Sequence, residues 1–169
     1  MLSLNFEQKA RLKLNQIASQ SAMARLAIAH NESNELSFYA SSSELLMWIV
    51  ASHDWHIQNG DSQYEKRMSA DPKGVIIYGM RHAFNMIKHK MDFMYIHEKT
   101  TDLILPFSMD SVATVIYLWR KAGNELDGDR PKQKENYIKY LEGKEMFATY
   151  RDVMEFLNGE NARYLASSG

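Results

Sequence analysis

Residues 71–97, DPKGVIIYGMRHAFNMIKHKMDFMYIH, carry the chain's clearest hydrophobic period. Ile76, Met80, Phe84, Ile87, Met91 and Met94 recur at steps of four, four, three, four and three, the spacing of one helical face. Asp71 suits an N-cap, and Pro72 at the first helical position has a preset φ and lacks only an N–H that is unused there. The spacing predicts one helix over 71–97, about 39 Å long at roughly 1.5 Å per residue. Gly74 and Gly79 each lower helix propensity by about 1 kcal/mol relative to Ala, so packing must supply the order. At about 100° per residue, Tyr78, Arg81, Asn85, Lys88, His89 and Asp92 fall on the opposite face. A wetted face is the ordinary reading. Wetted faces are usually filled with Glu and Lys, however, whereas Arg, Asn, His and Tyr are types that grip phosphate, stack or move protons.

A chain of 169 residues is expected to form one domain and to bury roughly 70% of its unfolded surface. Its 45% hydrophobic and 24% charged content exclude general disorder. A net charge of −1 argues against a protein dedicated to non-specific duplex binding, although a local basic patch stays open. With no cysteine, disulfides, thiolate chemistry and Cys-ligated zinc or iron–sulfur sites are excluded. The opening MLSLNFEQKARLK lacks the basic and apolar regions of a signal peptide. The longest apolar runs, LLMWIVA (45–51) and VIIYGM (75–80), fall far short of the ~20 residues that span a bilayer. No membrane association and a cytosolic location are therefore expected. Eleven methionines point to an adaptable core.

In chain order, Asn5 is expected to cap a first helix from Phe6 to about Ala29, with Ala10, Leu14, Ile17, Ser21, Ala24 and Ile28 facing inward. HNESNE at 30–35 should break it, and 34–40 is open between loop and helix. Ser41 and Glu44 form a capping box for a second helix, lined by Leu45, Trp48, Ile49, Ser52, Trp55 and His56 and ended by Asn59–Gly60. Residues 61–70 are a charged connection. Asp102–Phe107 and Val112–Trp119, rich in β-branched and aromatic residues, predict a hairpin over 102–119 with Pro106 at its edge or end. Such a ribbon is marginal alone and must lie against the helices. A buried helix capped by Asp110 is the competing reading of the same residues. GNELDGDRPKQK (123–134) reads as a linker. A last helical region over 131–158 follows, with Tyr137, Leu141, Phe147, Tyr150, Met154 and Leu157 as its stripe and Gly143 as a weak point. Asn158–Gly159 should stop it. The fold class expected is a mainly α bundle with a small hairpin.

Arg81, Asn85 and His89 follow one another at i, i+4 and i+8, so neighbours touch along the helix. Cleaving an RNA phosphodiester without metal needs proton transfer near neutral pH, which a His supplies, and a cation for phosphate, which an Arg supplies. The string RHAFNMIKHK resembles the signature helix of HEPN-type proteins, helical domains of bacterial and phage conflict systems. Many of these are metal-independent endoribonucleases built on an Arg followed after a short gap by His, with the site completed across a dimer. The resemblance covers about ten residues. It implies a phosphate contact at Arg81, acid–base work at His89 and a supporting place for Asn85. Tyr78 and Lys88 would bind substrate, no cofactor would be needed, and RNA and a second copy would be the partners. The gap is longer in this chain, at seven residues.

Three further readings stand beside it. HDWH places His53 and His56 at i, i+3, where they could share a metal with Asp54, His89 or His97 across helices, although a hydrogen-bonded core His56 is the plainer account. Tyr137, Tyr140, Phe147 and Tyr150 alternate with lysines as on a single-strand stacking surface, a pattern that also fits core plus solvated lysines. The last reading is a non-catalytic module whose polar helix face contacts a protein partner. Glycine-rich phosphate loops and nucleophile elbows are absent from the sequence.

Overall fold

The computed structural model describes residues 4–105, 108–122 and 131–165. They form α1 (Phe6–Asn31), α2 (Glu35–Asn59), α3 (Tyr64–Ala70), a 3₁₀ turn (Gly74–Ile76), α4 (Ile77–Lys90), β1 (Met94–Leu105), β2 (Ser108–Trp119), α5 (Pro131–Tyr140) and α6 (Met146–Leu165). The architecture is the expected mainly α bundle with an antiparallel hairpin. Among the described residues, no helix is long and apolar enough to cross a membrane.

Asn5 caps α1 as expected: its side chain accepts from the Gln8 amide at 2.8 Å, while the Gln8 side chain accepts from the Asn5 amide at 2.9 Å. The inward face, however, is not the predicted one. Leu12, Ser19, Ala22, Leu26 and Ala29 are buried, whereas Ala10, Leu14, Ile17, Ser21, Ala24 and Ile28 are all exposed. The two sets lie roughly 150° apart at 100° per residue, so α1 carries two apolar stripes. Against α2 and α6 it packs the stripe in which Leu12 and Leu26 alternate with Ser19, Ala22 and Ala29.

α2 begins earlier than predicted, because Asn34 rather than Ser41 is its cap, accepting from the Ser37 amide at 3.0 Å. Ser41 lies buried within the helix. Leu45, Ile49, Ser52, Trp55 and His56 are buried as expected, and Gly60 ends the helix with its amide on the His56 carbonyl. The connection that follows contains α3.

The predicted helix over 71–97 is much shorter. The Asp71 carboxylate accepts from the Lys73 and Gly74 amides at 2.7 and 3.2 Å, and the 3₁₀ turn leads into α4 of 14 residues. The helix stops at Met91, which adopts a left-handed conformation (φ 53°) and is 69% exposed. Phe93 turns into the core and Met94 opens the hairpin. About one more helical turn would have extended the apolar period to Met94. Instead Met94 pairs with Trp119, and the ladder runs to Leu105 with Ser108. The hairpin thus spans 94–119 rather than 102–119, and 110–119 is strand, not helix; Pro106 lies outside the described residues. Pairing of whole strands and burial of Phe93, Tyr117 and Trp119 outweigh a local helical period.

The hairpin base is fixed in the core. The Trp119 indole donates to Thr149 Oγ1 at 2.7 Å, and the Tyr117 ring stacks on Phe38 with centroids 3.8 Å apart. Gly143, at φ 72°, splits the predicted C-terminal helical region into α5 and α6, and its amide donates to the Trp119 carbonyl at 2.9 Å. Tyr137, Leu141, Tyr150, Met154 and Leu157 are buried as expected, with Phe147 half-buried. Asn158–Gly159 does not stop α6, which continues to Leu165. Its last turns are held by Glu160, Asn161 and Tyr164, which bond to Arg67, His56 and Asp61. The linker-like residues 123–130 and the tail beyond Leu165 lie outside the described residues.

Gly159 sits within α6 with open space around its missing Cβ. Gly159→Ala is expected to raise stability by about 0.5–1 kcal/mol, by removing unfolded-chain freedom. Urea denaturation checks this, and a lower midpoint would show that the helix needs glycine there.

Candidate functional site

The proposed RNA-facing residues do not share a partner. Arg81 forms an ion pair with Asp54 of α2, and both side chains are 37% exposed. Asn85 turns the other way and donates to Gln133 Oε1 of α5 at 3.2 Å. Lys88 and His89 are exposed on the last turn of α4, and Tyr78 is half-buried near its start. Arg81 therefore sits in the seam between α2 and α4, Asn85 in the seam between α4 and α5. A carboxylate on the guanidinium also competes directly with any phosphate for the same donors.

Closer to the core is a polar cluster that the sequence disclosed only in part. His56 Nε2 meets Asn161 Oδ1 at 2.8 Å, and its ring stacks on Tyr64 with centroids 4.7 Å apart. The Tyr64 hydroxyl lies 3.1 Å from His53 Nδ1. Burial, with Arg81 and His56 nearby, pushes the His53 pKa down to about 4. Burial also lowers that of His56, outweighing the Asn161 bond. Both imidazoles are neutral at pH 7. Beside them Arg67 bridges two carboxylates, Asp61 at 2.9 Å and Glu160 at 2.6 Å, and this guanidinium holds the Asp61 pKa down at about 2. Tyr164 closes the ring by donating to Asp61 at 3.0 Å and accepting from its amide at 2.7 Å. Arg67 lies six residues from Asp61 but 93 from Glu160, and no local spacing announces that the three meet.

Most of the cluster's donors and acceptors are paired, the exception being His56 Nδ1, which is buried without a hydrogen-bond partner. A neighbouring groove of about 530 Å³ is lined by Arg67, Lys73 and Arg163 together with Asp71, Glu155 and Glu160. Its cations are engaged: Lys73 with Glu155 at 2.5 Å, Arg163 with Glu160 at 3.2 Å. An entering anion would have to displace a carboxylate. For a metal, His56 Nε2 and His53 Nδ1 already face Asn161 and Tyr64, and among the described residues no group of three or more His, Asp or Glu is placed to hold one. Of the aromatic candidates, Tyr137 and Tyr150 are fully buried and Phe147 stacks on His30 at 4.6 Å, so this pattern serves packing.

Large apolar side chains are also open to a partner. Leu14, Ile17 and Ile28 on α1 are 59%, 55% and 57% exposed, and Phe6 and Leu36 are 89% and 83% exposed. The sequence reading found this stripe and turned it inward. No family model, curated protein or solved structure matches the chain.

The neutral imidazoles set a pH dependence. In the unfolded chain a His titrates near 6.5, whereas folded His53 resists protonation until about 4. Stability is thus complete above the unfolded value and is lost as pH falls through this window. Asp61, with its depressed pKa, adds a loss only below about 3.8. The melting temperature should decline from pH 7 to 4.5, and less steeply in His53→Gln; a flat profile would contradict burial of neutral histidines. Removing Arg67 leaves Glu160, only 5% exposed, with Arg163 alone. Arg67→Ala is expected to cost about 3 kcal/mol by denaturant melt.

Proposed function

We propose that this chain is a non-catalytic helical interaction module that holds a protein partner against the outward face of α1. The observation that carries the reading is the exposure of Leu14, Ile17 and Ile28 along one line of a 26-residue helix whose other side is packed. Scattered apolar residues are normal on a surface, but a contiguous apolar stripe marks a contact. Support also comes from the polar groups. A proton-transfer site needs acid, base and cation around one reacting atom. Here Arg81 is bound to Asp54 and Asn85 to Gln133, so the groups named for RNA cleavage engage different neighbours.

The reading to separate from it is a HEPN-type metal-independent ribonuclease using Arg81, Asn85 and His89. Incubating the purified protein with RNA in EDTA should give no cleavage. Cleavage that vanishes in both Arg81→Ala and His89→Ala would overturn the module reading. The double variant Leu14→Lys, Ile28→Glu should fold with stability within about 0.5 kcal/mol of the parent, as expected for exposed sites. Unfolding of that variant would show that the stripe belongs to the core.

A further inference from the structure

The outward face of α1 contains a pattern more specific than exposure. Ala10, Leu14, Ile17, Ser21, Ala24 and Ile28 follow at steps of four, three, four, three and four, the heptad seam of a coiled coil. All six are exposed. Their sizes are ordered as well. Laid antiparallel to itself, about a two-fold axis beside Ser19, the stripe pairs Ala10 with Ile28, Leu14 with Ala24, and Ile17 with Ser21. Every layer then joins one large and one small side chain, as an interdigitated core requires. A parallel pairing would instead stack Leu14 on Leu14 and Ile17 on Ile17, and leave Ala10, Ser21 and Ala24 as small-on-small gaps.

Charge is compatible with this arrangement. Antiparallel pairing brings Arg11 of one copy beside Arg25 of the other. Each arginine already has its own carboxylate, Glu7 for Arg11 and Glu44 for Arg25, both at 2.5 Å. The flank is thus a neutral group of two arginines and two glutamates, without net repulsion. Phe6 at the start of α1 and Leu36 in the first turn of α2 are brought to the same end of the seam by the same operation.

We infer that the partner of the α1 face is a second copy of this chain, packed antiparallel through Leu14, Ile17 and Ile28 in an isologous dimer. The inference rests on the interaction reading and names its partner. A closed two-fold contact covers the whole stripe on both copies and leaves no sticky end for fibres. The stripe from Ala10 to Ile28 is about 27 Å long and about 10 Å wide, roughly 270 Å² of projected surface a side. That is below the roughly 800 Å² a side of a standard interface, so the dimer should be weak, transient and concentration-dependent, micromolar or weaker.

Sedimentation velocity on the full chain from about 1 to about 200 µM covers the micromolar range. It should show a monomer–dimer equilibrium. Ile17→Glu should weaken association about a hundredfold or more while circular dichroism and melting stay unchanged. Ile138→Glu, at an exposed site on α5, should leave association as it was. Because the chain has no cysteine, register can be read directly by oxidation. Mixed Leu14→Cys and Ala24→Cys proteins should cross-link to each other faster than either does to itself. A monomer at all concentrations overturns the dimer but, if RNA is also left intact, not the module reading. Dimerisation unaffected by Ile17→Glu, or preferential Leu14→Cys self-cross-linking, overturns the α1 interface or its direction. Cleavage of RNA lost with His89→Ala overturns the module reading instead.

Discussion

A helix packed against one layer can hide only one side. That constraint governs this molecule, because α1 is apolar on two sides and the bundle covers one. Leu12, Ala22, Leu26 and Ala29 go inward against α2 and α6, and Leu14, Ile17 and Ile28 are left outside. Packed beneath α1, α2 in turn places Phe38 and Ser42 against Tyr117 and Tyr150. The hairpin base and α6 are organised on that surface.

At the other end of the bundle, polar groups do the same work. The Asp61–Arg67–Glu160 bridge and the His56–Asn161 bond tie the α2–α3 connection to the end of α6. Breaking such a pair leaves an uncompensated buried charge, so the network fixes geometry more than it adds net stability. Much of the chemical versatility gathered here is spent internally on these bonds, although His56 Nδ1 is buried without a hydrogen-bond partner.

Much of the fold was legible in the sequence, and the reasons for the exceptions are physical. Caps read well where a polar side chain has one obvious helix to serve, as at Asn5 and Gly60. Ser41 misled because Asn34 offered an equivalent cap earlier in the chain. The period over 76–94 was real only as far as Ile87; beyond it, strand pairing with Trp119 decided the conformation. Asn158–Gly159 is a local stop signal overridden by tertiary bonds to Glu160, Asn161 and Tyr164. On α1 the periodicity found a true stripe, but amphipathic spacing does not say whether its partner is the same chain. The candidate site was legible in types, less so in grouping: Arg81 and Asn85 look adjacent along one helix, yet α2 and α5 draw them to different sides.

The central claim is that α1 presents one face to its own bundle and the other to a second molecule. Methyl NMR of the full chain, followed as protein concentration rises, tests this most directly. The methyl signals of Leu14, Ile17 and Ile28 should shift together along one binding curve while those of Leu12 and Leu26 hold still. Outward methyls that stay fixed at every concentration, or inward ones that move with them, would contradict it.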